Sequence, residues 1–275
     1  MTERPLVSII IPTYNRHSLL AELLECLVRQ TFINFEVIIV NDGGRTVDEI
    51  VRLYHELNCT IIDFPINQDH VHARNTGVEI ARGEYIMPID DDDLIVPSHL
   101  ARMLLNIQEA DLVYSDVEII DYEQLGGNRN VRSRQLFAYH HSYAHMRTFS
   151  TFVPSGCLYR RVIHEQIGLF DPEVKNYWDW DFYLRVAQTF RIKRVEVAGV
   201  LYNFSTTTNN ASKDLSSMRM YLDRLSAKHG LGELPTKNFF LLLEEPEMKA
   251  REAKSEVIWD GIVHSSRLTQ EPLEM

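Results

Sequence analysis

Short apolar runs alternate with segments of helical periodicity along the first 120 residues of the chain. The apolar runs predict strands at residues 6–11, 35–40, 60–64, 84–89 and 111–119. The segments between them predict helices at residues 19–28, 46–57, 70–81 and from Pro97 onward, the second beginning with a Thr46/Glu49 capping box. Strands that alternate with single helices form right-handed βαβ units, so the sequence predicts an α/β fold with a mostly parallel sheet flanked by helices.

The pattern changes after residue 120. Residues 123–150 are polar and rich in arginine and predict a long loop that contains Gly126 and Gly127. A helix is predicted at 179–187 and a strand at 195–202, followed by a helical C-terminal extension with helices at 215–228 and about 247–264. We therefore divide the chain into segments 1–120, 121–210 and 211–275.

Composition and charge narrow the function. The chain has 275 residues, with 28 Lys and Arg against 39 Asp and Glu, a net charge of −11 that argues against nucleic-acid binding. The three cysteines have no spacing that suits zinc or a disulfide framework. Without a signal-peptide pattern or an apolar run of bilayer length, the sequence predicts a cytoplasmic location, with peripheral attachment to the inner face of a membrane left open.

Polar residues follow three of the predicted strands. They are Pro12, Thr13, Tyr14 and Arg16 after the first strand, Asp42 after the second, and Asp90, Asp91, Asp92 and Asp93 after the fourth. In open parallel sheets, ligands bind at the carboxyl ends of the strands. The sequence therefore predicts one ligand site at this edge of the sheet.

The acidic run indicates a metal-assisted site. Four adjacent carboxylates repel one another and need a cation or hydrogen-bond donors to compensate. An Asp-x-Asp pair of hard oxygens suits Mn²⁺ or Mg²⁺ that carries a substrate diphosphate. A solvated charge run is the simpler alternative.

The other candidates have structural alternatives of similar weight. Asp42 is either an acceptor for a ring N–H of a nucleobase or a residue that forms a turn. Tyr14 either stacks on a base or packs under its loop. Arg74 lies in the first turns of a predicted helix whose amino end suits phosphate. The histidines 140, 141 and 145 are interpreted as structural and not as a metal site.

Two further carboxylates, Asp179 and Asp181, lie among aromatic residues at the start of the predicted 179–187 helix. A carboxylate desolvated against Trp has the raised pKa of a general base. Capping of the helix, or pairing with Arg185, is the alternative. Only one of the two needs a chemical role.

In this order, these motifs resemble the family 2 glycosyltransferases of the GT-A fold. The matching segments are VSIIIPTYNR (7–16), RQTF (29–32), FEVIIVNDGG (35–44), ARNTGVEIARGEYI (73–86), IDDDDLIVP (89–97) and GLFDPEVKNYWDWDFYLRVA (168–187). They extend over roughly residues 5–205. The resemblance implies an inverting transfer from a nucleotide-diphospho-sugar, usually UDP-linked, to a saccharide, lipid-linked or other hydroxyl acceptor.

The resemblance also assigns roles. Segment 1–120 becomes the nucleotide-sugar-binding half and 121–210 the acceptor-binding half, with residues 123–150 closing over the donor. Asp42 binds the base and Tyr14 lies near it, Asp90 and Asp92 form the metal motif with Asp92 as the direct ligand, and Asp179 is the catalytic base. The remaining substrate-binding residues are Pro12, Thr13, Arg16, Arg74 and Asp91.

The chain departs from the family pattern at two positions. Trp178 replaces the Glu that usually precedes the catalytic Asp, and Asn203-Phe204-Ser205 follows Tyr202 where the family often has a metal-binding His. The metal is then held mostly by Asp92, diphosphate and water. A non-catalytic nucleotide-sugar-binding protein and a haloacid-dehalogenase-type phosphatase are the alternative functions, and oligomerisation through the C-terminal helices stays open.

Overall fold

The computed structural model of the chain describes residues 4–125, 128–203, 215–237 and 243–269. Its centre is a mixed sheet with the strand order β10-β9-β6-β8-β4-β1-β2-β3, in which β5 also pairs with β9 and β7 with β6. The strands are β1 (Val7–Thr13), β2 (Phe35–Asn41), β3 (Cys59–Asp63), β4 (Tyr85–Pro88), β5 (Leu94–Ile95), β6 (Leu112–Leu125), β7 (Asn128–Phe137), β8 (Cys157–Arg160), β9 (Ile192–Asn203) and β10 (Glu256–Val257).

The first four strands form the predicted parallel part of the sheet. β1 pairs in parallel with both β2 and β4, and β2 pairs in parallel with β3. Thr13 lies opposite Asn41, and the Asp42 amide donates to the Thr13 carbonyl at 2.9 Å, so both chains leave the sheet at one edge. Apolar side chains of β1 are buried on both faces of the sheet, as the continuous apolar run predicts.

Helices cover both faces of this sheet. They are α1 (His17–Val28), α2 (Asp48–Arg52), α3 (His70–Ile80), α4 (His99–Asn106), α5 (Tyr143–Met146), α6 (Val162–Ile167), α7 (Trp178–Val186), α8 (Leu215–His229) and α9 (Pro246–Lys249). Of the described helices, none combines the length and apolar character needed to cross a bilayer. The α/β fold with a mostly parallel, helix-flanked sheet is confirmed.

The predicted capping box of the second helix is wrong. The Thr46 hydroxyl binds the Asp48 carboxylate, and the Asp48 amide donates to that hydroxyl at 3.3 Å. Thr46 therefore closes a turn before the helix, which begins at Asp48 and ends at Arg52 instead of near Leu57.

The long loop predicted at 123–150 is also wrong in its first part, where β6 and β7 form an antiparallel hairpin. The two strands are joined by ion pairs of Arg134 with Glu118 and of Arg132 with Glu123. Charged residues thus stand at positions where an alternation of apolar residues would predict a strand. Cross-strand charge pairs stabilise a sheet without apolar alternation. The hydrophobic pattern of the sequence therefore does not indicate this hairpin.

The C-terminal extension begins with the predicted helix, α8, but the second helix predicted at about 247–264 is absent. Its residues form the short α9 and then β10, which pairs with the outer strand β9. Trp259 is buried against Leu94, Ile120 and Leu201, and Arg267 pairs with Glu56 at 2.7 Å. Burial of one large aromatic and completion of a sheet edge favour this extended path.

Candidate active site

A cavity of about 490 Å³ opens at the carboxyl ends of β1, β2 and β4. Every predicted site residue lines it: Pro12, Thr13, Tyr14, Arg16, Asp42, Arg74, Asp90, Asp91, Asp92 and Asp179. Because the parallel strands end at one edge of the sheet, residues from distant parts of the chain meet there. Asp93 does not lie on the cavity wall, so the acidic run is divided between the cavity and the core.

Asp91 and Asp93 have the buried carboxylates of the run. Asp93 is buried, accepts a hydrogen bond from the Ser155 hydroxyl and another from the Asn203 amide at 3.2 Å, and its pKa is raised well above the usual range by burial. Asp91 accepts from Thr13 Oγ1 at 2.7 Å and pairs with Arg16 at 3.0 Å. Burial raises the pKa of Asp91 to about 6 in spite of Arg16.

Asp90 and Asp92 have the more accessible carboxylates, with side chains 32% and 17% exposed. Asp90 pairs with Arg74, and Asp92 with Arg16 at 3.0 Å. Within the described ranges, three His, Cys, Asp or Glu side chains never come together in a way that could enclose an ion. The donor set therefore fits a divalent ion held by one or two carboxylates and completed by diphosphate and water oxygens, as Mg²⁺ and Mn²⁺ accept.

Asp42 has the turn role that the sequence left open, and it also lies on the cavity wall. Its carboxylate accepts from the Gln68 amide at 2.6 Å and from Asn67 Nδ2 at 2.9 Å, and burial raises its pKa against these bonds. The next residue, Gly43, has φ +75°, and a Cβ there would lie 2.4 Å from the Asn67 nitrogen. The tight turn thus holds a buried carboxylate at the cavity wall, with lone pairs left for a ligand N–H.

Tyr14 and Arg16 are separated by a residue in the left-handed region. Asn15 has φ +55°, and its side-chain oxygen accepts from the Arg45 amide at 2.9 Å. The turn leaves the Tyr14 ring 49% exposed at the cavity. Tyr14 is therefore available to a ligand and is not packed under its loop.

Arg74 is a buried cation at the centre of the cavity. Its Nη1 donates to the His70 carbonyl at 2.9 Å, its Nη2 contacts Asp90, and its guanidinium carbon lies 4.3 Å from the centre of the Trp178 ring. The amino end of α3 is already occupied, because Asp69 Oδ1 accepts from the Val71 and His72 amides. Two amides at this helix end are thus bound within the protein, and the cation that lies beside them on the cavity wall is Arg74.

Asp179 lies in the first turn of α7, where its carboxylate accepts hydrogen bonds from backbone amides that include that of Trp180. Burial raises its pKa to about 6, and the negative charge of Asp90 acts in the same direction. Asp181, on another side of the helix, is fully buried and pairs with Arg185 at 2.9 Å. The structure thus separates a carboxylate that faces the cavity from one that pairs within the protein.

Several cavity residues were not predicted. His70 is partly buried, and desolvation together with the charge of Arg74 lowers its pKa to about 4. Lys175 lies 3.6 Å from Asp69, while Met218 and Lys237 reach the cavity from the C-terminal segment. Only their positions after folding place them here, so no spacing in the sequence could have found them.

Comparison with known proteins shows the family to which the chain belongs. The sequence model of Glycosyl transferase family 2 matches residues 8–168. The chain is 56% identical over 263 residues to the uncharacterised glycosyltransferase YwdF of Bacillus subtilis, covering 95% of this chain and 98% of YwdF. It is 30% identical over 198 residues to WcaA of Escherichia coli, a glycosyl transferase assigned by name to colanic acid biosynthesis, covering 68% of this chain and 67% of WcaA.

Two solved structures share the fold. S. aureus TarS 1–349 in complex with UDP-GlcNAc has a TM-score of 0.63 at 21% identity, over 81% of this chain and 66% of that one. The mannosyltransferase PcManGT of Pyrobaculum calidifontis, in complex with GDP-Man and Mn²⁺, has a TM-score of 0.59 at 18% identity, over 85% and 67%. With more than half of its length matched by the family model and a 56% identical relative over nearly its whole length, this chain belongs to glycosyl transferase family 2.

Proposed function

We propose that this glycosyltransferase transfers a sugar, with inversion, from a UDP-linked donor to an acceptor hydroxyl with the help of Mn²⁺ or Mg²⁺. The observation that carries the proposal is the cavity itself. It combines Asp42 at the end of β2, the carboxylates of Asp90 and Asp92, and the half-buried Asp179 on one wall. These are the groups needed for base recognition, diphosphate binding and proton removal.

The nucleotide half of the donor is assigned to the β1 and β2 loops. Asp42 accepts the ring N–H of uracil, and the exposed Tyr14 ring packs on the base. The buried guanidinium of Arg74, with Arg16 beside it, faces the diphosphate. The nucleotides in the structures of the two fold relatives are UDP-GlcNAc and GDP-Man, which supports a nucleoside-diphosphate sugar as the donor class.

The acceptor hydroxyl attacks the anomeric carbon opposite the departing diphosphate, and Asp179 takes its proton. Arg74 and Arg16 stabilise the charge that grows on the leaving group. A divalent ion, held by Asp92 with Asp90 alongside, adds Lewis-acid stabilisation of that charge when bound. Aromatic residues of the 149–180 region, among them Phe149, Phe152 and Trp180, exclude water from the reacting atoms.

The acceptor is assigned to the saccharides or lipid-linked saccharides of polysaccharide biosynthesis, with the reaction at the cytoplasmic face of a membrane. The support is the name of the relative WcaA. A haloacid-dehalogenase-type phosphatase is set aside because the family match covers the acidic run.

The test is a panel of nucleotides and nucleotide sugars, measured by thermal shift and by release of nucleoside diphosphate, with and without Mn²⁺. A ligand at 100 times its Kd stabilises by about 2.7 kcal/mol, which thermal shift detects readily. We expect UDP and UDP-sugars to stabilise the protein more with Mn²⁺, and UDP to be released in the presence of an acceptor. Phosphate release from simple phosphoesters, or binding of UDP-sugars without UDP release across an acceptor panel, would contradict the proposal.

A further inference from the structure

The buried carboxylate of Asp181 lies where α7 meets α8. It is 0% exposed and accepts from Arg185 Nε at 2.9 Å within its own helix. From α8 it receives His229 Nε2 and Lys228 Nζ, each at 2.7 Å. One carboxylate thus joins two helices through residues that are up to 48 positions apart in sequence.

These contacts keep Asp181 ionised inside the protein. Burial raises the pKa of Asp181, but the His229 hydrogen bond and the charges of Arg185 and Lys228 outweigh it, and the pKa lies at about 2. Charge-assisted bonds of this kind are short and directional. A fully paired buried carboxylate holds its partners in one geometry more strictly than an apolar contact does.

Both helices contribute residues to the cavity wall. Asp179, which is two residues before Asp181, lies on the cavity wall, and Met218 of α8 lies on the wall as well. The apolar side of α8 supports the same arrangement, since Leu222 and Leu225 are buried in the cluster that contains Trp178 and Trp180. A change in the angle between α7 and α8 would therefore move the Asp179 carboxylate relative to the part of the cavity wall that α8 contributes.

We propose that Asp181 is a positioning residue, which fastens α7 to α8 through His229 and Lys228 and so holds Asp179 in line with the acceptor. The inference rests on the proposed function, in which Asp179 is the base. It concerns a part of the chain beyond the segment matched by the family model, which ends at residue 168. The C-terminal segment then affects catalysis because α8 fixes the orientation of α7.

The test compares four variants on α8. His229→Leu removes the hydrogen bond to Asp181, whereas His229→Gln keeps an N–H donor at a similar reach. Lys228→Met removes the second donor at a side chain that is 35% exposed and that also pairs with Asp171 at 2.5 Å. Arg224→Ala is the matched control, because it breaks exposed contacts of α8 with Glu173 and Tyr221 and leaves the contacts of Asp181 in place.

Three quantities are measured for each variant: Tm, the Kd of UDP with Mn²⁺, and kcat for UDP release from the donor and acceptor that the panel identifies, all well below Tm. Since a misplacement of about 1 Å costs up to about 100-fold, we expect His229→Leu and Lys228→Met to lower kcat by about 10- to 100-fold with an unchanged Kd for UDP. His229→Gln restores most of the rate, and Arg224→Ala resembles the wild type.

Asp179→Asn is measured in parallel to separate the two proposals. Loss of rate in Asp179→Asn with wild-type kcat in both His229→Leu and Lys228→Met overturns the positioning role and leaves the proposed function intact. Full activity of Asp179→Asn overturns the assignment of the base itself. If His229→Leu does not fold, Lys228→Met decides: wild-type kcat in Lys228→Met overturns the inference.

Discussion

Asp179 differs from the other carboxylates of the cavity in its surroundings. In the part of the chain that the structure describes, Asp90, Asp91 and Asp92 each contact an arginine, and Asp179 forms no such ion pair. Burial raises its pKa to about 6, and the backbone hydrogen bond from Trp180 and the charge of Arg74 oppose this only in part. A base with this pKa is ionised at neutral pH and still basic enough to accept a proton.

We expect Asp179→Asn to lower kcat by ~10²–10⁴, the usual contribution of a positioned base, and to leave donor affinity nearly unchanged. Only the ionised form accepts a proton, so the wild-type rate should rise with pH to a plateau with a midpoint near the pKa of about 6. Steady-state rates of UDP release from pH 4.5 to 8.5 test both points. Glu173→Gln, at an exposed acid nearby, is the control, and a variant that retains the wild-type rate would remove Asp179 from the chemistry.

Asp42→Ala should raise the donor KM more than it lowers kcat, because a contact with the base is equally strong in the ground state and the transition state. Discrimination between uridine and cytidine donors should also fall, since cytosine lacks the ring N–H. Competition of UDP and CDP in a binding assay measures this directly. Asn67→Ala removes a supporting bond but keeps the carboxylate, and should affect discrimination less; an unchanged UDP/CDP ratio in Asp42→Ala would rule out the base contact.

Asp92→Asn should abolish metal-dependent turnover without unfolding the protein. The negative charge of Asp92 raises the pKa of both Asp91 and Asp93, so its removal relieves repulsion in the run and offsets the lost contact with Arg16. Circular dichroism melting without metal should give a Tm equal to or above that of the wild type. Titration of Mn²⁺ in the presence of UDP gives the second measurement, and an unchanged metal dependence of the rate would exclude Asp92 as a ligand.

At the level of elements, α3 must lie close to β1 for Arg74 to reach the cavity. Gly77 allows this approach, because a Cβ at that position would lie 2.4 Å from Ile10 Cγ2. A glycine inside a helix usually lowers its stability, so its presence here is explained by packing.

Gly77→Ala should therefore destabilise the protein, although alanine is the better helix former by ~1 kcal/mol. Overpacking in a dense core costs ~1–3 kcal/mol, and the displaced helix also moves Arg74 away from Asp90. Urea unfolding and the Kd of UDP should both show the change. Thr76→Ala, at the preceding and partly exposed position, is the control; a Gly77→Ala protein more stable than the wild type would show that α3 is free to shift.

On the scale of the whole molecule, residues 246–269 belong to the α/β domain. Trp259 is 9% exposed, packs beside β5, β6 and β9, and stacks with Arg134 at 4.6 Å. This segment, residues 246–269, which we call the tail, therefore covers the outer edge of the sheet. None of its residues lines the cavity.

We expect Trp259→Ala to reduce the free energy of unfolding by roughly 3 kcal/mol, at the lower end for a buried tryptophan, since its site is at an edge and can relax. Donor affinity, measured well below Tm, should stay the same. Ile262→Ala, at a side chain that is 56% exposed, should have little effect. Equal stability of Trp259→Ala and the wild type would mean that the tail is dispensable to the fold.

The sequence by itself determined the parallel half of the sheet and the edge at which the site lies. Apolar runs such as residues 6–11 and 35–40 admit only buried strands, and a right-handed connection leaves their carboxyl ends together. The position of Asp42, of the acidic run and of Asp179 at one cavity followed from that rule and from the family resemblance. For the strands and the polar residues that follow them, the local pattern was sufficient, because each is defined by neighbouring residues.

Only the tertiary structure decided which members of the run face the cavity and how the chain continues after residue 120. Asp92 and Asp93 are adjacent and chemically identical, and Ser155 and Asn203 draw one of them into the core. The β6–β7 hairpin and the path of residues 246–269 depend on ion pairs and on burial of Trp259. Such contacts join residues far apart in the sequence, so their energy leaves no periodic signal along the chain.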